Sequence, residues 1–420
     1  MKKLTLVIFA ALLSGCATCV KKAPPAAPPQ PCPPAPAPVS TAAAAAFMPQ
    51  GAAPTFADAD DLKALLKAAK LNQEYFKGLK GDAPVYAFGQ RKATARDLAA
   101  ATDELVRILE ANPTPEQLAA QIRQKFDFYQ MAGRDSTGTV VFSSYYEPTL
   151  EASLKETRKY RIPIYAKPDD LITVNLGDFN EKFKGEKISG RVQGGSLVPY
   201  LTREQIDFNG GLEKKGLELA YFKTWADVMD LHTEGSARLA LPDGRVIKAK
   251  YAGNNSYPFK GWLTAMVEAG ALPREGISPE KGQKYLDEHP DMVRKILSMN
   301  RRYVFFRLEQ PADPEEGPTG TYGLPLTGWR SVAVDNALIP MGALAFMNVP
   351  TAPDVDKDGK LLGRKPDSRF VFCQDTGGAI KGPGRVDFYA GNGKKSTTFA
   401  FKLWDQGQMY LLLLKPQPAI

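Results

Sequence analysis

Groups able to do chemistry concentrate in Gln374-Asp375-Thr376-Gly377-Gly378-Ala379-Ile380-Lys381-Gly382 and the following Arg385-Val386-Asp387-Phe388-Tyr389. Two strand-like segments carry carboxylates, and the loop between them holds Gly377, Gly378, Gly382 and Gly384. Glycines at that density permit positive φ and a close approach of the backbone to a ligand. On the second segment a period of two sets Val386 and Phe388 on one face and Arg385, Asp387 and Tyr389 on the other. A carboxyl held among aromatic rings in a cleft is driven towards its neutral form and can donate a proton near neutrality. Arg385 on the same face pulls the other way, so the sequence leaves the sign of the balance open. Asp335, after Ser331-Val332-Ala333-Val334, is a third acidic strand terminus. Taken singly, each aspartate reads more simply as a turn-former or a satisfied ion-pair partner.

Other chemistries fit less well. Asp354-Val355-Asp356-Lys357-Asp358-Gly359 copies the start of a calcium loop, but Lys365 stands where a bidentate glutamate is required. A polar turn between strands is expected instead. The chain has two histidines, His232 and His289, and no clustered Cys/His ligands, so neither a metal site nor a cofactor is expected. Asp375-Thr376-Gly377 looks like the active turn of an aspartic protease, yet Gly378 follows where a small or hydroxyl residue is usual, and no second copy exists. Such an enzyme needs two aspartates sharing a proton.

The elements that must position these residues run from helices to strands. Asp58 to Lys80 reads as helical. Thr94 with Asp97 and Thr114 with Pro115 and Gln117 mark two more helix starts. Beyond Gly138 the pattern turns to β, with Thr139-Val140-Val141-Phe142 leading into Ser143-Ser144-Tyr145-Tyr146-Glu147-Pro148. A mixed region follows: a cap at Thr202 to Gln205, an amphipathic stretch near Trp225 to Leu231, and helices from about Tyr257 to Ala269 and Pro279 to Met299. After Tyr303-Val304-Phe305-Phe306 short strands punctuated by Gly and Pro predict a small barrel. Cys373, in Phe370-Val371-Phe372-Cys373, is expected as a core thiol.

The N-terminus predicts export. Lys2 and Lys3 precede Leu4 to Leu13, an apolar run too short to span a bilayer as a helix, and Leu13-Ser14-Gly15-Cys16 has the form of a lipoprotein cleavage site. Residues 1–15 are thus read as signal peptide and Cys16 as the lipidated residue, the body being soluble and held by its acyl chains. Ala17 follows in place of an inner-membrane-retaining aspartate, which points to the outer membrane and the periplasm. The tether, residues 16–50, carries ten prolines between Pro24 and Pro49, while Cys19 and Cys32 could pair to loop it. Extended at ~3.1 Å per residue, it reaches roughly 100 Å. The formal charge of +8 drops to +6 without Lys2 and Lys3. Acidic envelope polymers, including the carboxylates of peptidoglycan stem peptides, suit it better than nucleic acid.

Taken together, the motifs resemble a known family. Asp335, Asp375 and Asp387 match the aspartates of the three-aspartate domain. From about Thr137 to Lys415 the chain is similar to the membrane-bound lytic transglycosylase A family, envelope lipoproteins that cleave peptidoglycan. Ser144-Tyr145-Tyr146-Glu147-Pro148, Leu241-Pro242-Asp243-Gly244-Arg245, Tyr251-Ala252-Gly253-Asn254-Asn255, Tyr303-Val304-Phe305-Phe306, Pro325-Leu326-Thr327 and Gln374 to Gly382 carry the likeness in order. The resemblance implies a mainly β fold. A double-psi β-barrel is made by residues 51–148, with the N-terminal helices, and by the three-aspartate segment 317–420; a second β-rich domain, 149–316, is inserted between them. It implies that glycan strands lie in the groove where the domains meet, that Asp387 does the chemistry, and that Asp375 supports it. Ser143, Ser144, Tyr146, Glu147, Glu234, Ser236, Gly377, Gly378, Lys381 and Tyr389 are the expected substrate contacts. A monomer is expected.

The sequence departs from the family where His232-Thr233-Glu234-Gly235-Ser236-Ala237 replaces the usual Gln-x-Gln-Gly-Ser-Gly, and where Ser143-Ser144 replaces Thr-Gly. These changes bear on glycan affinity more than on the reaction, and they keep open a peptidoglycan-binding protein that has lost activity. The implied reaction needs one carboxylate where ordinary glycosidases use two, because the C6 hydroxyl of the same muramyl residue is the nucleophile.

Overall fold

The computed structural model describes residues 46–48, 54–58, 61–79, 85–183, 186–311, 313 and 316–416. The signal segment, Cys16, Cys19, Cys32 and residues 16–45 of the proline-rich tether lie outside them. The tether expected to run to residue 50 ends sooner, because Ala46 and Phe47 are buried in the barrel core and Phe47 pairs with Met131.

Side-chain caps set where the helices begin. Asp61 accepts from the Lys63 amide at the start of α1 (Leu62–Gly78). The helix does not reach back to Asp58, because that carboxylate is held by the fully buried Arg330 at 2.7 and 2.8 Å. A hairpin of β1 (Val85–Phe88) and β2 (Arg91–Thr94) leads to α2 (Ala95–Glu110), opened by a Thr94/Asp97 capping box. A second box, Thr114/Gln117, opens α3 (Pro115–Lys125). β3 (Phe126–Gln130) and β4 (Val140–Glu147) follow.

β4 then runs through Pro148 into a separate set of elements: β5 (Thr149–Ser153), β6 (Ile162–Tyr165), β7 (Ile172–Asn175), β8 (Lys187–Gln193), β9 (Ser196–Pro199), α4 (Arg203–Asp207) and β10 (Glu218–Phe222). α5 (Trp225–Glu234), β11 (Ala237–Ala240), β12 (Val246–Asn254), α6 (Trp262–Glu268), α7 (Pro279–Glu288), α8 (Pro290–Leu297) and β13 (Val304–Glu309) complete it. A six-stranded sheet in the order β13-β12-β11-β5-β10-β6 packs on α5–α8, and β7-β8-β9 form a small sheet. The helix expected over Pro279 to Met299 is two. Pro290 has no N–H to donate and clashes with the preceding turn, so the chain breaks at His289 (φ −133°) and restarts. The helix expected from Tyr257 starts only at Trp262, after Pro258 and Gly261.

The chain returns as β14 (Ser331–Ala333), β15 (Leu344–Val355), β16 (Leu361–Asp375), β17 (Arg385–Asn392), α9 (Gly393–Lys402) and β18 (Trp404–Leu414). Strands pair in the order β15-β16-β14-β17-β4-β18, and β18 pairs back to β15, closing a six-stranded barrel with β3 added outside on β18. Two of its pairings, β14 with β16 and β17 with β4, are parallel. The run Phe370-Val371-Phe372-Cys373 is buried on both faces. Val371 and Cys373 point into the barrel with Val386 and Phe388, while Phe370 and Phe372 meet helices α1 to α3 outside. The calcium-like segment is the β15–β16 turn, where Asp356 accepts from the amides of Asp358 and Lys360 at 3.0 and 2.8 Å and Lys365 pairs with Asp354 at 2.8 Å.

Candidate active site

Register brings the two carboxyls together. β14 lies between β16 and β17, and Ala333 pairs with Asp375 on one side and Asp387 on the other. β17 also runs parallel to β4, setting Asp387 beside Ser143. The alternation read from Arg385 to Phe388 holds: Val386 and Phe388 fill the barrel, and Asp387 faces out of it.

Ser143 donates a short hydrogen bond to Asp387 Oδ1 and accepts one from Arg385 Nη2 at 2.8 Å. The remaining Arg385 bonds go to the Val141 and Val386 carbonyls at 3.3 Å, and its guanidinium lies over the Trp404 ring. Burial pushes the Asp387 carboxyl up to about 6; Ser143 and Arg385 pull it down without winning, and the charge of Asp375 adds to the rise. The balance left open by the sequence is thus settled by desolvation.

Asp375 is bound from three sides. Tyr145 Oη donates at 2.7 Å, and Thr321 donates its amide at 2.9 Å and its hydroxyl at 3.0 Å. Burial raises this carboxyl too, against those donors. Asp335 closes the glycine loop, accepting the Gly382 amide at 2.8 Å, with Lys381 at 3.9 Å.

The expected contacts fall into separate groups. Ser143, Gly377, Gly378 and Lys381 lie beside or on the loop between the two aspartates; a Cβ at Gly378 would meet nothing within 4 Å, whereas one at Gly377 would strike Ile380. Ser144 donates to the Phe388 carbonyl at 2.7 Å and ties β4 to β17. Glu234 comes across from α5 and accepts the Tyr146 amide at 3.3 Å; burial strongly raises its carboxyl, with the charges of Asp230 and Asp387 adding. Ser236 follows, nearly buried, after Gly235 has capped α5 in a left-handed turn. His232 points into the inserted domain, where Arg203 and the Val304 amide hold its Nδ1, and burial keeps it neutral.

Two expectations need correction. Glu147 is fully buried, with Arg238 at 2.9 Å and Lys248 at 3.4 Å, so it offers no surface to a ligand. Those cations also bond the carbonyls of Glu316 and Gly317, which ties both crossings between barrel and insert. Tyr389, 1% exposed, packs against Tyr145 and the Tyr75–Tyr322–Leu326 cluster behind the site and does not line it. The sequence reading missed Thr321, for which the hydroxyl in Thr319-Gly320-Thr321-Tyr322-Gly323 was the available signal, and Trp404, for which there was none. Among the described residues no group of three or more His, Cys, Asp and Glu is placed to hold a metal ion, and no helix is long and apolar enough to cross a membrane.

Residues 141–307 match the family model described as the MltA specific insert domain, and residues 330–413 match the 3D domain. The chain is 27% identical over 292 residues to membrane-bound lytic murein transglycosylase A of Escherichia coli, covering 69% of this chain and 70% of that protein. The crystal structure of a membrane-bound lytic murein transglycosylase from Agrobacterium tumefaciens superposes with a TM-score of 0.67 at 27% identity, over 84% of this chain and 93% of that one. MltA from Neisseria gonorrhoeae gives 0.65 at 28% identity, over 84% and 88%. The barrel is thus of the double-psi kind, with a β-rich domain inserted, as expected.

Proposed function

The chain belongs to the membrane-bound lytic transglycosylase A family, and from that premise we propose that it cleaves the β-1,4 bond between N-acetylmuramic acid and N-acetylglucosamine in peptidoglycan, with Asp387 as acid and then base. The observation that carries this reading is the state of Asp387. Burial holds its carboxyl protonated up to about 6, and Ser143 fixes the oxygen it bonds. Protonated Asp387 gives its proton to the bridging oxygen as the C1–O bond breaks. The C6 hydroxyl of the same muramyl ring then closes on C1 and returns a proton to the carboxylate. No water is consumed, and no second carboxylate is needed to activate one. Holding the nucleophile in the same molecule as the electrophile gives the attack its high effective concentration.

Asp375, pinned by Tyr145 and Thr321, supports the site and raises the Asp387 carboxyl through its charge. The loop at Gly377, Gly378 and Lys381 supplies one wall of the glycan groove, and Tyr146, Glu234 and Ser236 supply the other. A half-buried Glu234 whose carboxyl is driven towards its neutral form can do the hydrogen-bonding work of the glutamine usual there, which favours a working enzyme over a binding protein without activity. The body works in the cell envelope as a monomer. Acyl chains on Cys16 anchor it to the outer membrane, and the tether lets it reach the wall.

Digestion of purified sacculi tests the reaction. The products are expected to resist borohydride and to weigh one water less than the fragments left by a hydrolase. Reducible ends would overturn the transglycosylase reading.

A further inference from the structure

One aromatic residue beside the reactive carboxyl has no part in the chemistry above. Trp404 begins β18 and is 69% exposed, the only one of the four tryptophans that stands largely in water. Register fixes its place. Trp404 pairs with Ser143 on β4, and Ser143 pairs with Asp387 on β17. Paired residues on adjacent strands project to the same face, so Asp387, Ser143 and Trp404 form a row across three strands. Two strand spacings place the indole about 10 Å from the acid, a distance that linked pyranose rings bridge.

The ring is also braced. The Arg385 guanidinium sits 4.5 Å from its centroid, and that guanidinium is bonded to Ser143 and to two strand carbonyls. Phe401, 49% exposed, lies over Tyr146 with ring centroids 5.8 Å apart, adding an apolar step near β4 on the side of the insert. A solitary surface aromatic is ordinary. An indole braced on one side, exposed elsewhere and in register with the acid is a preorganised platform. β-Linked N-acetylhexosamines match it, because their equatorial substituents leave flat faces of axial C–H groups that pack on an aromatic ring.

We propose that Trp404, backed by Arg385, is a sugar-stacking subsite that holds a glycan ring beyond the scissile bond, and that Phe401 extends it. The proposal deepens the glycan-cleaving reading and rests on it.

Steady-state kinetics on peptide-free glycan strands, together with tryptophan emission, test the subsite. In Trp404→Ala, KM is expected to rise about tenfold (~1.4 kcal/mol) while kcat stays within about twofold, and Trp404→Phe restores most of the affinity. In Asp387→Asn, glycan strands should shift the emission to the blue as the exposed indole is covered, and Asp387→Asn with Trp404→Phe should lose that shift. An unchanged KM in Trp404→Ala, or a blue shift that survives Trp404→Phe, would overturn the subsite. The emission test needs no turnover, so reducible products from the wild type would remove the reaction and leave the subsite to be judged separately.

Discussion

Strand β4 meets one carboxyl at its middle, where Ser143 bonds the half-buried Asp387, and ends in another, the fully buried Glu147, and the two are treated differently. At Glu147 the compensation is direct: Arg238 and Lys248 both reach the carboxylate, and both also bond the chain returning from the insert. At Asp387 it is indirect: Arg385 bonds Ser143, and Ser143 bonds the carboxyl. The first arrangement makes a strut between two domains. The second leaves a group that burial has lifted to about 6 and that can change protonation during a reaction. What separates strut from reagent is how directly the countercharge is delivered.

The comparison breaks first at Asp387. Asp387→Asn should lower the rate by ~10²–10⁴, the usual worth of a positioned acid–base group. It should also stabilise the protein. Folding raises this carboxyl from 3.8 to about 6, so its contribution to stability is full below the unfolded value and is lost as pH rises through 6. The asparagine should therefore add on the order of 3 kcal/mol at pH 7, and the gain should vanish below about pH 4, as urea melts would register. Equal stability of the two proteins at pH 7 would refute a buried, under-compensated carboxyl.

Glu147→Gln should act in the opposite sense. It strands two buried cations, so it should destabilise the fold by about 3–5 kcal/mol, while the folded fraction keeps the alkaline limb of its pH–rate profile near 6. A shift of that limb with little loss of stability would assign Glu147 to the site after all. The smallest effect is expected at Asp375→Asn. The rate should fall less than in Asp387→Asn, and the alkaline limb should move to lower pH, because the Asp375 charge helps to raise Asp387. An upward movement would contradict that coupling.

What could be read in the sequence was local. The capping boxes at Thr94, Thr114 and Thr202 fix helix starts within four residues of themselves, and the alternation from Arg385 to Phe388 needs only one strand. The break at Pro290 is equally local, since a residue with no N–H stands inside the expected helix. Barrel closure was out of reach of any period. It depends on β4 meeting β17 and β18 across the whole insert, and only the family resemblance supplied it. The role of Glu147 was hidden for the same reason, since its partners Arg238 and Lys248 lie far along the chain. Trp404 was hidden because nothing local marks it: what sets it near the site is its pairing with Ser143, far back along the chain.

The account stands on attack by the substrate's own hydroxyl, and digestion of sacculi in H₂¹⁸O tests this most directly. If Asp387 shuttles one proton between the bridging oxygen and the C6 hydroxyl, the new muramyl ends should carry no ¹⁸O and no reducing group. One ¹⁸O at each new reducing end, lost together with activity in Asp387→Asn, would show that water is the nucleophile and that the site is a hydrolase.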